Sequence, residues 1–160
     1  MSYMEYAKDK EFVADFVHRT KVNITHGCHP YEVTQRINSL IGLLVLPKER
    51  YYDNINDSMI NSELLAALMK GINIPSNSRK LNLKYIVRRM RNAIAHFNIE
   101  CKADKHTHLI DHIVFEDFNY ENNSKNPDFQ ITISNDVLEQ FVDQFSDVVS
   151  ECIKKGCNGT

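Results

Sequence analysis

The chain has 160 residues, of which 42% are hydrophobic and 25% charged, and its formal net charge is −2. That length and balance predict one soluble domain able to bury a sizeable core and exclude a disordered chain. The longest apolar run, Ile41-Gly42-Leu43-Leu44-Val45-Leu46, is too short to span a membrane, and residues 1–10 have no apolar stretch of the kind a secretory signal needs.

In chain order, Phe12 and Phe16, with Val13 and Val17, recur at spacing four and predict a helix over about 6–24, stopped by Gly27. Pro30 begins a second helix that Pro47 ends, with Val33, Ile37, Leu40, Ile41 and Leu44 on one side. Its last turns are apolar almost all round, so it is expected to be the central, most buried helix. Residues 51–62 are polar and Asn-rich and predict a loop running into a short helix through Met69. Gly71 and Pro75 punctuate the chain, and Ser76 or Ser78 is the expected cap of the next helix. That helix is expected over about 79–101, with Leu83, Val87, Met90, Ile94 and Phe97 as its buried stripe.

The pattern then switches to period two. His112, Val114, Glu116 and Phe118 alternate with Ile113, Phe115 and Asp117, residues 119–128 are turn-rich, and residues 129–133 alternate again. This predicts a β-hairpin over about 110–134. The last helix opens at Asp136 with Glu139 three residues on, like a capping box, and Leu138, Phe141, Val142, Phe145, Val148, Val149 and Cys152 form its apolar face. Lys154, Lys155 and Gly156 close it, leaving 156–160 as a frayed tail. The expected fold class is all-α: a single helical-bundle domain over 1–155 with a small β-hairpin inserted before the last helix.

Charge is segregated along this framework. Between residues 64 and 99 there is no Asp or Glu, yet Lys70, Arg79, Lys80, Lys84, Arg88, Arg89 and Arg91 all lie there. A basic element in a slightly acidic chain attracts phosphates locally, although such cations also serve as a solvated face paired with acids from elsewhere. Within it, Arg91-Asn92-Ala93-Ile94-Ala95-His96 puts a fixed cation, an amide and an imidazole on one short helical stretch. An imidazole changes charge near neutral pH, and beside a permanent guanidinium it forms a minimal kit for phosphodiester chemistry without a metal. Asn92 and His96 are four apart and share a face, with Lys84 and Arg88 on the same side of the helix.

These residues carry a resemblance. Arg91-Asn92 followed by His96 matches the Arg-polar-x-x-x-His signature of the HEPN superfamily, and the wider string from Arg88 to Glu100 resembles a plasmid- and prophage-borne branch of it. The stretch Gly42-Leu43-Leu44-Val45-Leu46-Pro47-Lys48-Glu49 is similar to the same branch. The resemblance implies a homodimeric, metal-independent endoribonuclease, a toxin or antiphage effector in which two motifs meet in one cleft. It implies Arg91, Asn92 and His96 as catalytic residues, Lys84 and Arg88 as RNA-binding residues, no cofactor, and RNA, a second copy and an antitoxin or other regulatory protein as partners. Some such toxins have a Tyr two residues after the motif His, where a partner enzyme modifies it; here that position is Asn98, so that route of control is not expected. The rival expectation is a non-catalytic module that binds nucleotide or RNA or mediates dimerisation.

The remaining clusters read more plainly. Cys28, Cys101, Cys152 and Cys157 are scattered, without metal-type spacing or a disulfide framework, which fits reduced thiols and a cytoplasmic protein. His106, His108 and His112 share parity and are a conceivable metal site, but an exposed hairpin edge is the simpler expectation. His26, Cys28 and His29 precede Pro30 without a fourth ligand and read as a loop. Tyr51 and Tyr52 are expected to cap the end of the second helix, with stacking on RNA bases as the other reading.

Overall fold

A computed structural model describes residues 9–26, 32–45, 49–73, 81–118 and 125–156. Among the described residues, apolar residues at helical spacing build five helices: α1 (Asp9–His26), α2 (Glu32–Val45), α3 (Ser62–Lys70), α4 (Leu83–Ala95) and α5 (Asn135–Gly156). Between α2 and α3 the expected loop contains two 3-10 turns, Glu49–Asn54 and Asp57–Met59. The expected boundary residues Gly27, Pro30, Pro47, Pro75, Ser76 and Ser78, most of the 119–128 turn and the last four residues lie outside the described residues.

The all-α expectation needs correction. The hairpin strands appear as β3 (Ile110–Asp117) and β4 (Phe129–Ser134), but β1 (Ile72–Asn73) and β2 (Ile99–Ala103) flank them. Together they form a four-stranded sheet in the order β1-β4-β3-β2, every neighbouring pair antiparallel. β1 has two residues, too few to show a period. β2 was hidden by the helical spacing running up to it. Phe115 pairs with Ile99 on one side and Ile131 on the other, so β3 and β4 are the inner strands.

The core lies between the helices and the inner face of the sheet. Ile113, Phe115 and Asp117 of β3 and Phe129, Ile131 and Ile133 of β4 turn inward, as period two requires. The hub is α5, not α2 as its apolar last turns suggested: α5 packs on α1, α2, α3, β3 and β4. Its whole expected apolar face is buried, and Phe141 and Phe145 stack at 5.1 Å between ring centroids. Each such fully buried ring contributes about 2–3 kcal/mol of transfer free energy. The start of α5 also differs from expectation. Ser134 Oγ accepts the Val137 N–H at 3.3 Å, while Glu139 pairs with Arg36 at 2.8 Å rather than folding back as a capping box.

Two glycines allow close approach. A Cβ on Gly42 would strike the ring of Phe16 where α1 crosses α2, and one on Gly71 would strike the backbone oxygen of Thr132. The Gly71 φ is an ordinary −76°, so its requirement is for space. The contact matters because Thr132 N–H donates to Gly71 O at 3.0 Å and ties α3 to the sheet.

Candidate functional site

The helix α4 is anchored at both ends, and the anchors determine where the motif falls. At its start the Asn82 side chain accepts the Tyr85 N–H at 2.8 Å, and Asp57 accepts the Leu83 N–H at 2.7 Å. Asn82 thus holds the cap position expected of Ser76 or Ser78. A helix with no acid in its own first turn receives one from the preceding 3-10 turn, where it complements the positive end of the helix dipole.

At the other end the helix stops at Ala95, six residues before the expected limit. His96 is the C-cap, and Phe97 adopts φ 59°, in the left-handed region. Phe97 N–H donates to Ile94 O at 3.1 Å and Asn98 N–H to Ala93 O at 2.8 Å. Those two bonds make a Schellman motif with phenylalanine where glycine is usual. Phe97 was expected in the buried stripe and is instead 89% exposed. The rest of the stripe, Leu83, Val87, Met90 and Ile94, is buried as expected.

Three of the candidate residues come together. Lys84, Arg88 and Arg91 line a cleft of about 140 Å³ with Val87, Tyr52 and Asp53. Lys84 reaches Asp53 at 3.2 Å across its rim, an exposed pair worth little in water. Tyr52 forms the buried wall. Its hydroxyl lies 2.8 Å from the backbone oxygens of both Leu43 and Leu44, which share its one proton, and so caps α2. Burial pushes the Tyr52 hydroxyl well above its ordinary range, while the positive charge of Arg91 acts the other way.

Asn92 lies apart from this cleft. It is half-buried, and its Nδ2 donates to Asp117 Oδ2 at 3.1 Å. Asp117 is 3% exposed and also takes Arg89 Nη1 at 3.0 Å. Arg89 extends to Asp128 at 3.7 Å and lies 5.9 Å and 5.7 Å from the ring centroids of Tyr85 and Phe129. Its Nε is buried without a hydrogen-bond partner among the described residues. Arg89 is therefore an inward-facing structural cation, which is the plain reading of part of the basic window. His96 does not line the cleft either. It is exposed at the helix end, with its backbone N–H on Asn92 O at 3.0 Å. Arg91 and His96 are five residues apart, about 140° around the helix, so one chain presents them in different directions.

Sequence reasoning passed over Asp117 as a member of this constellation. The available signal was parity: Asp117 shares the inward face with Ile113 and Phe115, and an acid there requires a buried partner. Elsewhere, His106 and His108 are exposed in the β2–β3 turn and His112 bonds Asp111 at 2.8 Å. Among the described residues no group of three or more His, Cys, Asp or Glu is placed to hold a metal. Cys28 and His29 lie outside the described residues.

The Arg-Asn-x-x-x-His segment that closes this basic helix is the motif on which the HEPN resemblance rests. The chain belongs to the family described as HEPN pEK499 p136, whose model matches residues 1–155, and this supports a nucleotide- or RNA-related module. No curated protein and no solved structure matches the chain. No helix among the described residues is long and apolar enough to cross a membrane.

Proposed function

We propose that the protein is a metal-independent endoribonuclease that acts as a homodimer, in the role of a toxin or antiphage effector in the cytoplasm. The observation that carries this reading is the three-cation cleft on α4, lined by Lys84, Arg88 and Arg91, on the helix that ends in the exposed His96. A cleft of that charge suits the RNA backbone, and an exposed imidazole at the end of the same helix suits proton transfer.

In the reaction, the ribose 2′-hydroxyl attacks phosphorus as a base takes its proton. The bond to the 5′ oxygen breaks as an acid protonates that oxygen, leaving 2′,3′-cyclic phosphate and 5′-hydroxyl ends. Arg91 holds the phosphate and stabilises the charge that grows on it. Lys84 and Arg88 guide the strand, and Asn92 orients His96. A single chain brings one His96 and directs Arg91 elsewhere, whereas a two-fold pair supplies the partner subunit's His96 as the second proton carrier. An antitoxin or regulatory protein acts by masking the cleft, since Asn98 offers no hydroxyl for modification.

The test is to map RNA ends in cells shortly after induction of wild type and of His96→Ala at matched soluble levels. New 5′-hydroxyl ends and growth arrest with wild type alone are the expected result. Equal, inert behaviour of two folded dimers would move the assignment to a non-catalytic RNA-binding or dimerisation module.

A further inference from the structure

We infer that Asp117 is a positioning residue: it turns the Asn92 carboxamide so that its Oδ1 faces away and accepts an N–H of the His96 imidazole, selecting one ring tautomer. The tautomer claim stands on geometry, and its use in catalysis rests on the ribonuclease reading above.

The orientation follows from donor and acceptor chemistry. Asp117 Oδ2 is 3.0 Å from Arg89 Nη1 and 3.1 Å from the Asn92 amide, and a carboxylate paired with a guanidinium offers only acceptors. The atom of Asn92 that faces it must therefore be the nitrogen, and the oxygen points away. The arrangement is hard to rotate. Asp117 is 3% exposed, its backbone is fixed opposite Phe129 in the β3–β4 ladder, and its carbonyl accepts the Asp128 N–H at 2.9 Å. Turning the amide would set oxygen against buried carboxylate and lose a charge-assisted bond.

The Asn92 oxygen can then only accept a hydrogen bond. A phosphate offers no donor and would be repelled, so Asn92 Oδ1 is not a phosphate ligand. Arg88 and His96, each four residues away, are the side-chain donors nearest along the helix, and Arg88 lines the cleft. The His96 N–H to Asn92 O bond at 3.0 Å keeps helical geometry through the Asn92–His96 pair. Side chains so related are neighbours, with Cβ atoms about 5–6 Å apart. His96 is exposed, so a bond from its ring to Oδ1 leaves the core undisturbed. The ring nitrogen bonded to that oxygen keeps its proton, and the other presents its lone pair outward as a base. The labour is thereby divided: Arg91, Lys84 and Arg88 hold phosphate, and the Asp117–Asn92 pair serves the imidazole.

The experiment is long-range proton–nitrogen NMR of the neutral His96 ring in wild type, Asn92→Ala and Asp117→Asn, with RNA cleavage by the same proteins. One dominant tautomer is expected in wild type. Asn92→Ala is expected to abolish the preference and to lower kcat with KM unchanged, because phosphate binding is intact. Asp117→Asn shifts the tautomer in the same direction. Since that variant removes the countercharge of Arg89 and can fail to fold, slow exchange of one Asn92 Nδ2 proton in wild type is the independent check on the bond. A tautomer balance that Asn92→Ala leaves unchanged in a folded protein overturns the inference, whatever the activity. A single tautomer lost in Asn92→Ala, without cleavage dependent on His96, supports the device and removes the ribonuclease reading.

Discussion

Phe97 holds a backbone conformation that disfavours every residue with a Cβ, with φ at 59° and the ring 89% exposed. The left-handed geometry costs roughly 1–2 kcal/mol in a non-glycine residue, and the exposed ring recovers little by burial. Phe97→Gly is therefore expected to raise stability by about 0.5–1 kcal/mol, after allowing for the greater freedom of glycine in the unfolded chain. Urea denaturation of the purified protein measures it. A loss of stability instead would mean that the ring packs in solution, as it would in an assembly of two copies.

Among the elements, α2 depends on Tyr52 for its C-terminus. The hydroxyl shares its one proton between two backbone oxygens, of Leu43 and Leu44, that no residue within the helix can reach. Tyr52→Phe leaves both without this donor and is expected to cost about 1–3 kcal/mol. The pH dependence has a definite sign. Burial raises the folded-state pKa above the unfolded value of about 10, so the folded state retains the proton longer. Wild-type stability should fall as pH rises above about 10, and the phenylalanine variant should lack this contribution. Denaturant midpoints from pH 8 to pH 11 test both statements. An equal alkaline decline in the two proteins would assign it to other groups.

For the whole molecule, a net charge of −2 makes general attraction to nucleic acid weak and leaves binding to the local cleft. If Lys84, Arg88 and Arg91 each meet one phosphate, the slope of log affinity against log salt for single-stranded RNA should be about −2. Arg88→Ala should reduce that slope by about 0.7, and binding measured across a salt series on an uncleaved RNA analogue reads it directly. Lys84→Ala should act alike and change stability by no more than about 0.5 kcal/mol, because its pair with Asp53 is exposed. A slope insensitive to both substitutions would place RNA on another face.

The sequence by itself determined the helices, the inner strands and the buried apolar face of α5, because these depend on local periodicity that a few turns or one strand display in full. It also determined the family, through a motif contained in six consecutive residues. Tertiary structure alone decided what depends on distant partners. β1 and β2 exist only because β4 and β3 pair with them, and a left-handed Phe97 carries no sign of itself in a sequence that goes on with helical spacing. The basic window was legible as charge, but its division was not. Asp117, on a strand 25 residues beyond Asn92, draws Arg89 and Asn92 inward, while Lys84, Arg88 and Arg91 remain on the cleft. Helical periodicity reports which way a side chain points. What waits there depends on the packing of strands and helices far along the chain.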